Sequence, residues 1–248
     1  MNQKRKCWTI WLAGLLVVLL AAVGCSRSNK TAQMEPQLAP SAPQTTQPEA
    51  METVKAQTDR LIDEVHYRTE ASKKTPGAYT VNGQPLYMSA NPYDYTLDNE
   101  EYDKLVAMGP GALDALCVLQ KNAAAYGSLD RYILAIAIEE ITKIDLKYST
   151  QFFWEDADTF ADAWARFSAQ AEADVQSVLQ DASLTVSEKT RQICFYGILA
   201  ENVTAAQLPE DAAEVLGAAQ EKIASSSRTQ LVAFVQAPGA PQGVSSGV

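Results

Sequence analysis

Between about residues 51 and 236, apolar side chains recur mainly at helical spacing. The clearest stripe covers residues 129–143, where Leu129, Tyr132, Ile133, Ile136, Ala137 and Ile141 share a face that Leu134 and Ile138 widen. A helix with so broad an apolar face is surrounded by protein on most sides. Before it, Tyr102, Leu105 and Val106 line a helix over 98–108. Gly109 ends that helix, because glycine tolerates the left-handed stop, and Pro110 suits a first helical position, where no N–H is needed. The next helix, over 110–124, carries Ala112, Ala115, Leu116 and Leu119 at i, i+3, i+4 and i+7. Downstream, Phe160, Trp164, Phe167, Ala171, Val175 and Val178 mark a helix over 157–180 whose acidic start complements the helix dipole. Thr185-Val186-Ser187-Glu188 has capping-box spacing and predicts a helix running to Leu199 with Ile193, Cys194 and Ile198 inward. Ala212, Val215, Leu216, Ala219 and Ile223 define another after Pro209, and a short last helix fits 229–235. At the front, Val54, Leu61, Ile62 and Val65 give a modestly amphipathic helix over 51–72.

One stretch has a different character. Ala78-Tyr79-Thr80-Val81 and Gln84-Pro85-Leu86-Tyr87-Met88 flank Asn82-Gly83, a pair suited to the positive φ angles of a tight hairpin. Pro85 lacks an N–H and confines its strand to an edge. Short loops between helices, without a series of strands, predict an all-α fold. It would be a helical bundle or stacked helical hairpins with a HEAT-like flavour, plus one small β-hairpin near 78–88.

Both ends depart from this pattern. Lys4, Arg5 and Lys6 precede an uncharged run from Trp8 to Gly24, the layout of an export signal. That run ends in Leu20-Ala21-Ala22-Val23-Gly24-Cys25, which resembles the lipobox of bacterial lipoproteins, with Ala22 where leucine is commoner. The resemblance implies that residues 1–24 are a signal peptide and that Cys25 becomes the N-terminus, carrying acyl chains such as palmitate. An uncleaved membrane anchor and ordinary secretion are the alternatives; all three put the bulk of the chain on the extracytoplasmic side. Residues 25–50 are rich in Pro, Gln and Thr and read as a disordered tether with a reach of about 25–30 Å. Residues 51–236 then form the helical domain and 237–248 a disordered tail.

A second resemblance covers residues 91–164. Asn91-Pro92-Tyr93-Asp94-Tyr95, Leu105-Val106-Ala107-Met108-Gly109 and Tyr132 to Thr142, with Trp154 and Trp164 downstream, look like a segment of uncharacterised exported proteins from Gram-positive, clostridia-like bacteria. It implies a helical fold and an extracytoplasmic setting, without catalytic residues to transfer.

Charge narrows the function classes. Thirty Asp and Glu stand against 20 Lys and Arg, and loss of the leader would move the net charge from -10 to about -13. Nucleic-acid binding depends on clustered cations and is excluded as a class. A single histidine, His66, removes multi-histidine zinc sites, facial iron triads and His-based triads, and no cofactor is implied. His66 itself lies among charged residues and reads as a surface imidazole. Asp98 to Glu101 and Asp156 to Asp162 are acidic without the alternating oxygen ligands of a calcium loop.

The remaining candidates each carry two readings. Glu140 falls among Ile133, Ile136, Ala137 and Ile144, so its carboxylate is expected to point into the apolar stripe, with Glu139 toward the edge. Glu140 is either a raised-pKa acid, paired with Asp145 or Glu139, or a structural acid that caps a neighbouring helix or is held by an arginine such as Arg191. The structural reading is preferred, because paired-carboxylate chemistry also requires a substrate cleft. Tyr93, Tyr95, Tyr102, Tyr126, Trp154 and Trp164 could form a binding surface for glycan or peptide, or simply close the core. Cys7 leaves with the leader, while Cys117 and Cys194 read as buried thiols, a disulfide between them being the alternative. The expected function is a membrane-anchored extracytoplasmic lipoprotein whose helical module interacts or senses without catalysing. Its partners would be the lipid anchor's membrane and an envelope protein or cell-wall ligand. The alternatives are a carboxylate-dependent enzyme acting on cell-wall polymer and a ligand-binding lipoprotein.

Overall fold

The computed structural model describes residues 47–203 and 209–237. The leader, Cys7, Cys25 and nearly all of the tether and tail lie outside the described residues. Among the described residues, eight α-helices run in chain order: α1 Gln47–Lys74, α2 Glu100–Ala107, α3 Leu113–Gln120, α4 Ser128–Thr142, α5 Ala157–Gln180, α6 Val186–Cys194, α7 Ala212–Ser225 and α8 Arg228–Gln236. Two short strands, β1 Thr80–Val81 and β2 Gln84–Pro85, pair antiparallel with Thr80 opposite Pro85. Asn82 and Gly83 take φ of 52° and 78°, as the hairpin sequence requires. The fold is all-α with one small β-hairpin.

Several boundaries differ from expectation for local reasons. Helix α1 is already formed at Gln47, where the described residues begin, rather than from 51; Pro48 and the acidic Glu49 are compatible with a first helical turn. The stretch expected as one helix over 110–124 is a 3-10 turn, Gly109–Ala112, leading into α3. Helix α6 is capped as predicted, Thr185 accepting from Glu188 N, yet stops at Cys194 instead of Leu199. Gly197 has φ +50°, and a Cβ there would collide with the Thr142 carbonyl oxygen and sit 2.8 Å from Ile144 Cγ1. Close approach of this turn to the end of α4 therefore sets the break.

Helix α4 is the hub. It packs on α2, α3 and α5, and Ile133, Leu134, Ala135, Ala137 and Ile138 have no solvent exposure. Burying each of the fully enclosed Ile133, Leu134 and Ile138 side chains contributes about 1.5–3 kcal/mol. Around it, Trp154 packs edge-on to Phe160 at 5.0 Å and Phe167 stacks on Tyr196 at 5.6 Å. Helices α7 and α8 both pack on α6 and close the C-terminal side. Among the described residues, no helix is long and apolar enough to cross a membrane.

Candidate functional site

The last turn of α4 buries a carboxylate, but not the expected one. Glu139 has no exposed surface, whereas the Glu140 side chain is 38% exposed. Glu139 shares a helix face with Ala135 and Thr142, at i−4 and i+3, and both are fully buried. Small or polar residues hide this second buried face from a hydrophobic count, although they allow neighbours to close over it.

The chain after α4 supplies the first partner. Lys143 caps the helix with φ +58°, which turns the backbone back so that Leu146 N–H donates to Glu139 Oε1 at 3.0 Å. Trp154 Nε1 donates to the same oxygen at 2.9 Å. Trp154 is itself pinned by Lys147, whose Nζ lies 3.7 Å from the ring centroid and donates to the Trp154 carbonyl at 3.1 Å.

The other oxygen meets α8. Arg228, in the first turn of that helix, donates from Nη2 to Glu139 Oε2 at 2.7 Å and to Asp145 Oδ2 at 2.7 Å. Its Nε donates to the Ile144 carbonyl at 3.0 Å, and Nη1 lies 3.9 Å from Glu140 Oε2. Three carboxylates thus converge on one guanidinium. Burial raises the Glu139 carboxyl, as does the Asp145 charge; Arg228 and the bonds from Trp154 and Leu146 oppose this, leaving it at about 7. Arg228 is buried too, yet Glu139 and Asp145 raise its pKa above the usual arginine value. Tyr93 lies against the cluster, its phenol pushed up to about 12 by burial and by Glu139. Tyr102 is raised by burial and by Glu140.

A carboxyl near neutrality suits proton transfer. Glu139, however, is sealed from solvent and engaged on both oxygens, so the arrangement can fasten a helix and exchange a proton but has no open face toward a substrate. Arg191, the expected partner of Glu140, instead stands over the Phe234 ring at 5.7 Å. Among the described residues, no group of His, Cys, Asp and Glu is placed to hold a metal ion.

The aromatic candidates go inward. Trp154 is fully buried, Tyr95, Tyr102, Tyr126 and Trp164 are nearly so, and Tyr93 is half-buried against Arg228. They build the core and the cluster, not an exposed surface. Tyr126 donates to Asp59 at 2.7 Å and Tyr95 to the Ser89 carbonyl at 3.1 Å, which satisfies their hydroxyls.

Exposed aromatics occur elsewhere. Tyr67 on α1 is 62% exposed and meets Tyr79 of the hairpin edge-to-face at 6.3 Å. Arg68 supports Tyr79 from 5.0 Å and donates to the Leu97 carbonyl at 3.0 Å. Tyr87, Met88 and Leu97 are exposed in the adjoining turns, and Tyr87 N–H is held by Ser72 Oγ. Sequence reading missed this surface because Tyr67 lies on the polar side of α1, outside the apolar stripe. A smaller exposed pair, Tyr148 and Phe153, flanks Lys147.

His66 is largely exposed, with Nε2 3.0 Å from Asp130 Oδ1. Cys117 and Cys194 are free thiols. Cys117 is only partly buried, whereas burial pushes the Cys194 thiol up to about 12. Cys194 lines a shallow groove of about 70 Å³ with Phe195, Leu231, Val232 and Val235. Comparison with known families, curated proteins and solved structures finds no match to the chain.

Proposed function

We propose that the chain is a lipoprotein held at the extracytoplasmic face of the membrane through Cys25, and that its helical domain is an interaction module rather than a catalyst. The observation that carries this reading is the exposed Tyr67–Tyr79 pair, with Tyr87, Met88 and Leu97 also exposed in the turns that follow the hairpin. The paired side chains stand on rigid supports: a tight hairpin, the long helix α1 and a buried Arg68. Aromatic groups held in place lose little entropy on binding and are favoured anchors of recognition. The lipobox-like boundary at Gly24-Cys25 supports the location, and an acidic domain would rely on acyl chains, not charge, to stay near anionic headgroups.

The carboxylate enzyme is the second reading, and the raised Glu139 is what favours it. Against it, Arg228 binds Glu139 and Asp145 together, and Glu139 has no exposed surface to offer a substrate. The test is affinity purification of the full chain from solubilised envelope. A specific partner, protein or wall fragment, should accompany the wild type and be lost from the Y67A/Y79A double variant. Equal recovery from both, or hydrolysis of purified wall polymer abolished by E139Q, would overturn the proposal.

A further inference from the structure

Helix α8 is the last element described, and its two buried side chains are Leu231, 1% exposed, and Arg228, 8% exposed, with Phe234 and Val235 packed partly against the core. Arg228 sits in the first turn, where the helix dipole disfavours a cation. Nearby carboxylates are therefore needed to hold it. The charge count at their meeting point is unbalanced, with Glu139 and Glu140 from α4 and Asp145 from the following turn around one guanidinium.

We infer that docking of α8 is proton-linked: the cluster takes a proton from solvent onto the Glu139 carboxylate as α8 closes, and returns it to water as α8 lifts. The proton relieves the excess negative charge of Glu139 beside Asp145, which are 0% and 15% exposed and poorly screened by water, whereas Glu140 at 38% exposed is screened. Lifting Arg228 and Leu231 would open Glu139 to solvent, where its pKa would return to an ordinary carboxylate value.

The other groups packed around the cluster do not supply the missing positive charge. Tyr93 and Tyr102 are phenols whose pKa is raised, so they stay neutral. Lys143 Nζ donates to the Ile223 carbonyl at 2.6 Å. Lys147 is held on Trp154, while Arg191 from α6 and Lys222 from α7 face the Phe234 ring of α8.

The sign follows from the carboxyl at about 7 when docked. A carboxyl raised on docking favours the docked state below its ordinary pKa, and that advantage is lost as pH rises through the docked value. Helix α8 is therefore held more tightly at pH 5.5 than at pH 8.

Chymotrypsin cleavage after Leu231 and Phe234 reads the lifting, measured on the full chain in detergent micelles and normalised to a peptide spanning 226–237. The normalised rate should rise on the order of ten-fold from pH 5.5 to 8 in wild type, and the rise should vanish in E139Q. A flat wild-type profile, or an undiminished rise in E139Q, overturns the inference. If circular dichroism shows that E139Q does not fold, D145N decides. Removing that neighbouring charge must move the midpoint to lower pH, and an unmoved midpoint overturns the inference equally.

Discussion

Arg228 and Glu139, 89 residues apart in the chain, meet in a 2.7 Å ion pair with the carboxylate sealed from solvent. The pair joins the hub helix α4 to α8, the last helix among the described residues. Removing one member of a buried pair leaves the other uncompensated, which costs about 3–5 kcal/mol. R228M should lose about that much in urea unfolding. The loss should be greater at pH 8 than at pH 5.5, because an unpaired Glu139 can escape its penalty by taking a proton. The double variant E139L/R228M should recover most of the stability, since no charge is then stranded.

The wild-type domain should also lose stability as pH rises. Glu139 titrates at about 7 in the fold and at about 4.3 when unfolded. Its contribution is complete below the unfolded value and is lost as pH climbs through the folded one, a change on the order of 3 kcal/mol. Urea midpoints from pH 4.5 to 8 measure this. A midpoint constant between pH 5.5 and 8 would contradict it.

Trp154 acts on the same carboxylate through its indole N–H, 2.9 Å away. W154F keeps the aromatic packing against Phe160 and removes the donor. Stability at pH 8 should fall by about 1–3 kcal/mol. The Glu139 side-chain carbon resonance should titrate at higher pH than in wild type, because a bond to the ionised form has been lost.

Gly197 is needed for space as well as for its φ of +50°. The backbone strain of G197A alone should cost about 1–3 kcal/mol. The collision with the Thr142 carbonyl adds to this, and thermal unfolding measures the total.

Cys25 is the predicted acylation site. C25S should remove the diacylglyceryl mass from the membrane-extracted protein and block cleavage after Gly24. Wild-type protein with an intact Met1 and no acyl mass would contradict the lipoprotein proposal.

Helix positions, the Asn82-Gly83 hairpin and the Thr185-Glu188 cap were legible in the sequence because each depends on neighbours a few residues away. Glu139 was not. Its burial depends on Arg228 arriving from a distant short helix and on Lys143 reversing the chain, and spacing along α4 encodes neither. A related limit hid Tyr67 and Tyr79, which lie on different elements and meet only once the hairpin folds back along α1. Conversely, Trp154 and Trp164 look like binding residues by composition, yet tertiary packing buries both.

Site-specific photocrosslinking in intact cells tests the proposed interaction face most directly. A benzophenone amino acid replaces Tyr87 on the exposed aromatic surface and, as the control, Glu221 on α7, also exposed. One discrete crosslinked species is expected at Tyr87, absent at Glu221 and lost with Y67A/Y79A. No crosslink at Tyr87, or the same products from both positions, would contradict it.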